Sequence, residues 1–203
     1  MAMSYKQSQN PTEITGLRNH MRTMMPKGTL SSYLEIGSYA GESFEYMVPA
    51  LKKGATVVLV DLGDNKAARQ NLLEILDKAE KENSLKIHLV TGDSTDPLVI
   101  SKVKDLCPPH SFDLCFIDGC HDFSYVVSDL ANYSPLSSYV ALHDIDPRCI
   151  QKQVEKHWFE KPCAAHVWSV LKLSRSVDEF IDADAKRPMG IGVLRGITIG
   201  VGN

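Results

Sequence analysis

Residues 55–61 read ATVVLVD and residues 112–118 read FDLCFID. Each is a short, nearly unbroken run of apolar and β-branched residues that stops on an aspartate. A strand with one wet face alternates apolar and polar side chains, whereas a strand covered on both faces does not. Two such runs predict a parallel sheet between helical layers. Tyr33–Gly37 and Leu85–Thr91 have the same form, and Ser138–His143 supplies a fifth strand.

The intervals between these runs carry helical periodicity. Asn65–Asn83 places Ala68, Leu72, Ile75, Leu76 and Ala79 on one face, with Glu74/Lys78 and Asp77/Lys81 paired at i,i+4 on the other. Gly41–Lys53 shows a stripe of Phe44, Val48 and Leu51, but Pro49 predicts a kink or an early end. Pro97–Leu106 and Phe123–Tyr133 complete the set. Alternation of this kind with right-handed crossovers predicts an α/β, doubly wound and mostly parallel sheet with helices on both faces. Beyond Asp144 the pattern weakens: Ile150–Trp158 reads as helix, and Ala165–Leu173 and Met189–Arg195 as the last strands. Residues 1–11 read as a flexible polar tail and residues 12–203 as a single domain.

Composition narrows the function. The 203 residues carry 22 Lys and Arg against 25 Asp and Glu, a net charge of −3, so no basic field exists to hold nucleic acid. No apolar run approaches the roughly 20 residues of a membrane-spanning helix. The polar start, MAMSYKQSQNP, lacks the apolar core of a signal peptide. Five cysteines without a CxxC pair argue against a disulfide scaffold or a cysteine zinc site, and a reducing cytoplasm is the expected compartment.

Open α/β sheets bind ligands beyond the carboxyl ends of their strands. After the first strand, YLEIGSYAGESF arranges Glu35, Gly37 and Gly41 as E-x-G-x-x-x-G. Tyr39 stands where the dinucleotide fingerprint needs its second glycine, so a pyrophosphate would fit poorly. Asp61 closes the second strand, where a carboxylate can accept from both ribose hydroxyls. Asp93 and Ser94 follow the third. Each alone is a commonplace strand-end turn; the ordered set is more specific.

On these residues the chain resembles the class I S-adenosylmethionine-dependent methyltransferases, over about Ser31–Asp144. The resemblance implies that Glu35 and the loop of Gly37, Ser38, Tyr39 and Gly41 lie near the methionine part of the cofactor. It implies Asp61 on the ribose and Asp93 and Ser94 near the adenine, with Asp118 bordering the same site.

The richest segment is FDLCFIDGCHDFSYVVSDL, with Asp118 at the fourth strand end and His121 three residues on; LHDID then presents His143, Asp144 and Asp146. Oxygen donors of this kind suit a hard divalent cation, and histidine shifts the preference toward Mn²⁺, Fe²⁺ or Zn²⁺. The IDGxH…HD pattern is similar to small O-methyltransferases related to the sugar-modifying enzymes of antibiotic biosynthesis. That likeness implies Asp118, His143 and Asp144 as ligands of Mg²⁺ or Mn²⁺, with His143 standing where relatives carry Asp or Glu. It also implies His121 as the general base. The expected activity is methyl transfer to a hydroxyl of a small molecule, a sugar or a phenol. A homo-oligomer would supply a pocket wall that so short a chain lacks. An NAD-linked oxidoreductase and a non-catalytic binding module are the competing readings.

Overall fold

A computed structural model of the chain describes residues 9–148, 163–186 and 188–195. Strands β1 (Leu30–Ile36), β2 (Leu51–Asp61), β3 (Lys86–Thr91), β4 (Phe112–Ile117) and β5 (Ser137–His143) pair in parallel. A hairpin of β6 (Val177–Phe180) and β7 (Ile191–Arg195) joins them, with β7 antiparallel to β5. The order across the sheet is β3-β2-β1-β4-β5-β7-β6. This is the doubly wound, mostly parallel sheet that the apolar runs predict.

Alternation within each central strand divides the core in two. Tyr33, Val57, Leu59, Leu114 and Phe116 face α1 (Pro11–Met24), α2 (Glu42–Met47) and α3 (Lys66–Asn83). Leu34, Ile36, Val58, Val60, Cys115 and Ile117 face α4 (Pro97–Leu106), α5 (Phe123–Tyr133) and α6 (Ala164–Ser174). Each large apolar side chain buried this way contributes about 1.5–3 kcal/mol. Charge at these positions is therefore excluded unless it is hydrogen-bonded, which makes Glu35 on β1 conspicuous.

The early end of α2 expected from Pro49 is met, while the start of β2 and the strand expected at Ala165–Leu173 change. Helix α2 ends at Met47 and passes through a 3₁₀ turn at Val48–Ala50, so β2 starts at Leu51 rather than Ala55. Pro49 is the reason, since it has no N–H to continue the ladder. Ala165–Leu173, read as a strand, belongs to helix α6. Its sequence AAHVWSVLKL is apolar enough on all sides that periodicity cannot separate strand from helix. Ala164, Ala165, Val167 and Trp168 form its buried face, and Trp168 packs flush on Gly192 of β7. Finally, α1 precedes β1. Asn10 caps it by accepting from the N–H groups of Thr12 and Glu13, Pro11 opens it, and Ile14, Leu17 and Met21 bury its inner stripe. Met189–Arg195 contains β7 as expected. The helix expected at Ile150–Trp158 lies outside the described residues.

Candidate active site

Strand β1 crosses to β2 on one side and its other neighbour, β4, leads away on the opposite side, so the sheet changes winding direction between them. A crevice opens at such a point because the two connecting loops diverge. Here Gly37 permits the loops to start in contact. Its φ is +89°, and a β-carbon would collide with the Asp118 carbonyl and sit 2.5 Å from Gly119 Cα. Above these loops lies a cleft of about 1060 Å³.

One end of the cleft is built from the loops after β1, β2 and β3. Gly37, Ser38, Tyr39, Asp61, Asp93 and Ser94 all line it. Asp61 accepts from the N–H of Tyr39 at 2.8 Å and of Gly63 at 2.7 Å, which ties the β1 loop to the end of β2. That tie holds Tyr39 at φ +42°, unusual for a side chain of its size. Asp93 accepts from the backbone N–H and hydroxyl of Thr95, each at 2.8 Å, and these bonds hold its carboxyl below the usual range. Tyr133 donates to the Ser94 carbonyl at 2.6 Å, anchoring that loop to α5.

Glu35 and Gly41 do not line this cleft. Glu35 is fully buried, and its two oxygens accept from the hydroxyls of Tyr33 and Ser43, each at 2.5 Å. Burial pushes its carboxyl up to about 7 against those hydrogen bonds. Expected as a cofactor contact, it instead sits behind the cleft floor and joins β1 to α2. Gly41 caps α2 in the left-handed conformation, and its missing side chain lets α3 approach through Leu72 and Ile75. Its role is packing.

The other end holds a cluster from the loops after β4 and β5. Asp118 Oδ1 lies 2.7 Å from His143 Nδ1 and 3.3 Å from His121 Nε2. Asp144 Oδ2 lies 2.6 Å from His121 Nδ1. Burial works to raise Asp118, but the imidazoles of His143 and His121 outweigh it and hold the carboxyl well below its usual range. Burial likewise works against charge on His121, yet Asp118 and Asp144 push its pKa up to about 11. Both ring nitrogens of His121, the residue expected as general base, thus face carboxylates.

Two walls escaped the reading of the sequence. Residues expected in a loose tail form one: Gln9 donates from Nε2 to Asp118 Oδ2 at 2.5 Å, and Asn10 donates to Asp182 at 3.3 Å. The connection between β6 and β7 forms the other, bringing Asp182, Pro188 and Met189 to the cleft. Glu13, only 1% exposed, holds that connection by accepting from the N–H of Asp182 at 3.0 Å and of Gly190 at 2.9 Å. Arg148 reaches the mouth while clamping both oxygens of Asp146. These contacts span some 170 positions of sequence, so no local spacing announces them.

The model of the methyltransferase domain family matches residues 34–145, which include every strand-end residue described above. No curated protein sequence matches the chain. Among solved structures, an O-methyltransferase from Bacillus cereus in complex with SAH is similar at 16% identity and a TM-score of 0.63, over 93% of this chain and 82% of that one. The O-methyltransferase TomG from Streptomyces achromogenes, involved in tomaymycin synthesis and in complex with SAM, is also 16% identical, with a TM-score of 0.58 over 90% and 80%. The methyltransferase domain of a bacterial CtHen1-C shares 9% identity and a TM-score of 0.60 over 92% and 97%. The chain belongs to the methyltransferase domain family and has the class I, S-adenosylmethionine-dependent methyltransferase fold.

Proposed function

We propose that the chain transfers the methyl group of S-adenosylmethionine to a hydroxyl of a small molecule, a sugar or a phenol. The observation that carries this reading is the single cleft with chemically distinct ends. Asp61 and Asp93 can receive hydroxyl and amino donors of a nucleoside at one end, and the Asp118, His121, His143 and Asp144 cluster faces the other. Neighbours of the same fold named as O-methyltransferases support oxygen as the acceptor atom.

In this reaction the acceptor hydroxyl gives up its proton to a cluster side chain or water, and its oxygen forms a bond to the methyl carbon as the carbon–sulfur bond breaks; the electron pair stays on sulfur, leaving a neutral thioether. The protein's part is alignment, since the sulfonium already carries the driving force. The strand-end carboxylates favour a cationic cofactor, which the loops of Gly37 and Asp118 would hold beside the cluster. Cluster residues also suit a divalent ion: His143 is 3% exposed, and its Nε2 has no hydrogen-bond partner among the described residues. Asp118 and His143 would hold such an ion, with His121 or Asp144 as the third ligand. A bound ion would supply acidity to the acceptor hydroxyl and a fixed place for its oxygen. We place the reaction in a reducing cytoplasm, supported by the unpaired state of Cys107, Cys115, Cys120 and Cys163. No described helix is long and apolar enough to cross a membrane.

Calorimetric titration with S-adenosylmethionine and S-adenosylhomocysteine tests the reading. Binding of both in the micromolar range is expected, followed by methylation of members of a sugar and phenol panel read by mass spectrometry. Absence of heat at millimolar cofactor, or tight binding of NAD in its place, would end it.

A further inference from the structure

We propose that the ion site of this chain is a two-histidine, one-carboxylate set of Asp118, His121 and His143, with Asp144 positioning His121 instead of binding the ion. Such a site takes Mn²⁺, Fe²⁺, Co²⁺ or Zn²⁺ in preference to Mg²⁺. The inference rests on the reading above only in placing an ion at this end of the cleft.

One ligand atom from each of Asp118, His121 and His143 lies within 4.8 Å of the others. Asp118 Oδ1 sits between the two rings, 3.3 Å from His121 Nε2 and 2.7 Å from His143 Nδ1. Neighbouring donors around an ion with bonds of about 2.1 Å stand about 3.0–3.4 Å apart in octahedral or tetrahedral geometry; the His121 pair already has that spacing, and the His143 pair would open by about 0.3 Å on binding. Gln9 occupies Oδ2 of Asp118, which leaves Oδ1 as the oxygen facing both imidazoles.

His121 divides its two nitrogens between two carboxylates. Nδ1 is 2.6 Å from Asp144 Oδ2, while Nε2 turns toward Asp118. A histidine whose far nitrogen donates to a carboxylate is oriented to offer the near one to a metal. Asp144 is set for that duty by its backbone, at φ +58° immediately after β5, and its second oxygen lies 3.6 Å from His143 Nδ1. Only towards His121 does it take the nitrogen far from Asp118. His143, at the last position of β5, is buried and turns its Nδ1 to the same Asp118 oxygen that His121 faces. Two nitrogen donors then set the ion's identity, because Mg²⁺ prefers oxygen and first-row transition ions accept imidazole.

The test uses the full chain stripped of metal and titrated calorimetrically with Mn²⁺ and with Mg²⁺, with S-adenosylhomocysteine titrated into the same samples. Mn²⁺ is expected to bind about 100-fold tighter than Mg²⁺. His121→Ala should weaken Mn²⁺ by about 100-fold, and Asp144→Asn by only about tenfold. Pulsed electron paramagnetic resonance of the Mn²⁺-loaded wild-type chain should count two imidazole nitrogens, a readout that needs no variant to fold. Equal affinity for the two ions, a single nitrogen, or a larger loss from Asp144→Asn than from His121→Ala overturns the proposal. Retained S-adenosylhomocysteine binding in any of those cases shows that the methyltransferase reading survives it. Loss of nucleoside binding by the wild-type chain fails that reading alone.

Discussion

Glu35→Gln should stabilise the protein several times more at pH 8 than at pH 5. In the folded chain the Glu35 carboxyl is buried, accepts from Tyr33 and Ser43, and stands at about 7, against 4.5 for an ordinary glutamate. The folded state therefore holds this proton more tightly than the unfolded state. Stability linked to it is greatest below pH 4.5, falls as pH rises toward 7, and is level above. The span from 4.5 to about 7 corresponds to about 3 kcal/mol, all of which is lost by pH 8. Glutamine has nearly the shape of the protonated acid, and either hydroxyl neighbour can turn its proton to suit an amide. Urea denaturation of wild type and variant at pH 5, 6, 7 and 8 measures the difference directly. In a chain of 203 residues the gain at pH 8 would appear as roughly 6–12 °C in Tm. Asp129, buried on α5 with its carboxyl pushed up to about 6, adds a pH trend of the same sign to both proteins and cancels in the comparison. A stability difference that is the same at pH 5 and pH 8 would refute the argument, because it would mean that Glu35 does not ionise across that interval.

Other outcomes follow from single contacts. Gly37→Ala drives a β-carbon into the backbone of Asp118 and Gly119, so S-adenosylhomocysteine affinity should fall at least about 100-fold by calorimetry. Asp61→Ala releases the N–H groups of Tyr39 and Gly63 and removes the proposed ribose acceptor; an affinity loss of about 10–100-fold is expected, and a loss below twofold would remove Asp61 from the site. Glu13→Gln leaves an amide facing one of two backbone donors, so hydrogen exchange at Asp182 and Gly190 should quicken. Gly192→Ala places a methyl inside the Trp168 indole and should cost about 3 kcal/mol or more in chemical denaturation.

Much of this was legible along the chain. Apolar runs ending on Asp61 and Asp118 specify buried parallel strands, since only a strand covered on both faces can do without polar alternation. The ends of such strands must converge on one edge of the sheet, and so Asp61, Asp93, Asp118, His143 and Asp144 were bound to share a rim. Local sequence could not say which way a side chain there would turn. Glu35 shares its face of β1 with Tyr33, and only the packing of α2 brings Ser43 to meet it there. Helix α6 was misread because its apolar content hides its period. The walls from Gln9, Asn10 and Asp182 are joined across most of the chain's length, and the pairing of His121 with Asp144 depends on the angle at which two loops leave neighbouring strands. Periodicity and composition are properties of neighbours in sequence; a side chain's partners are fixed by packing, which only the folded chain decides.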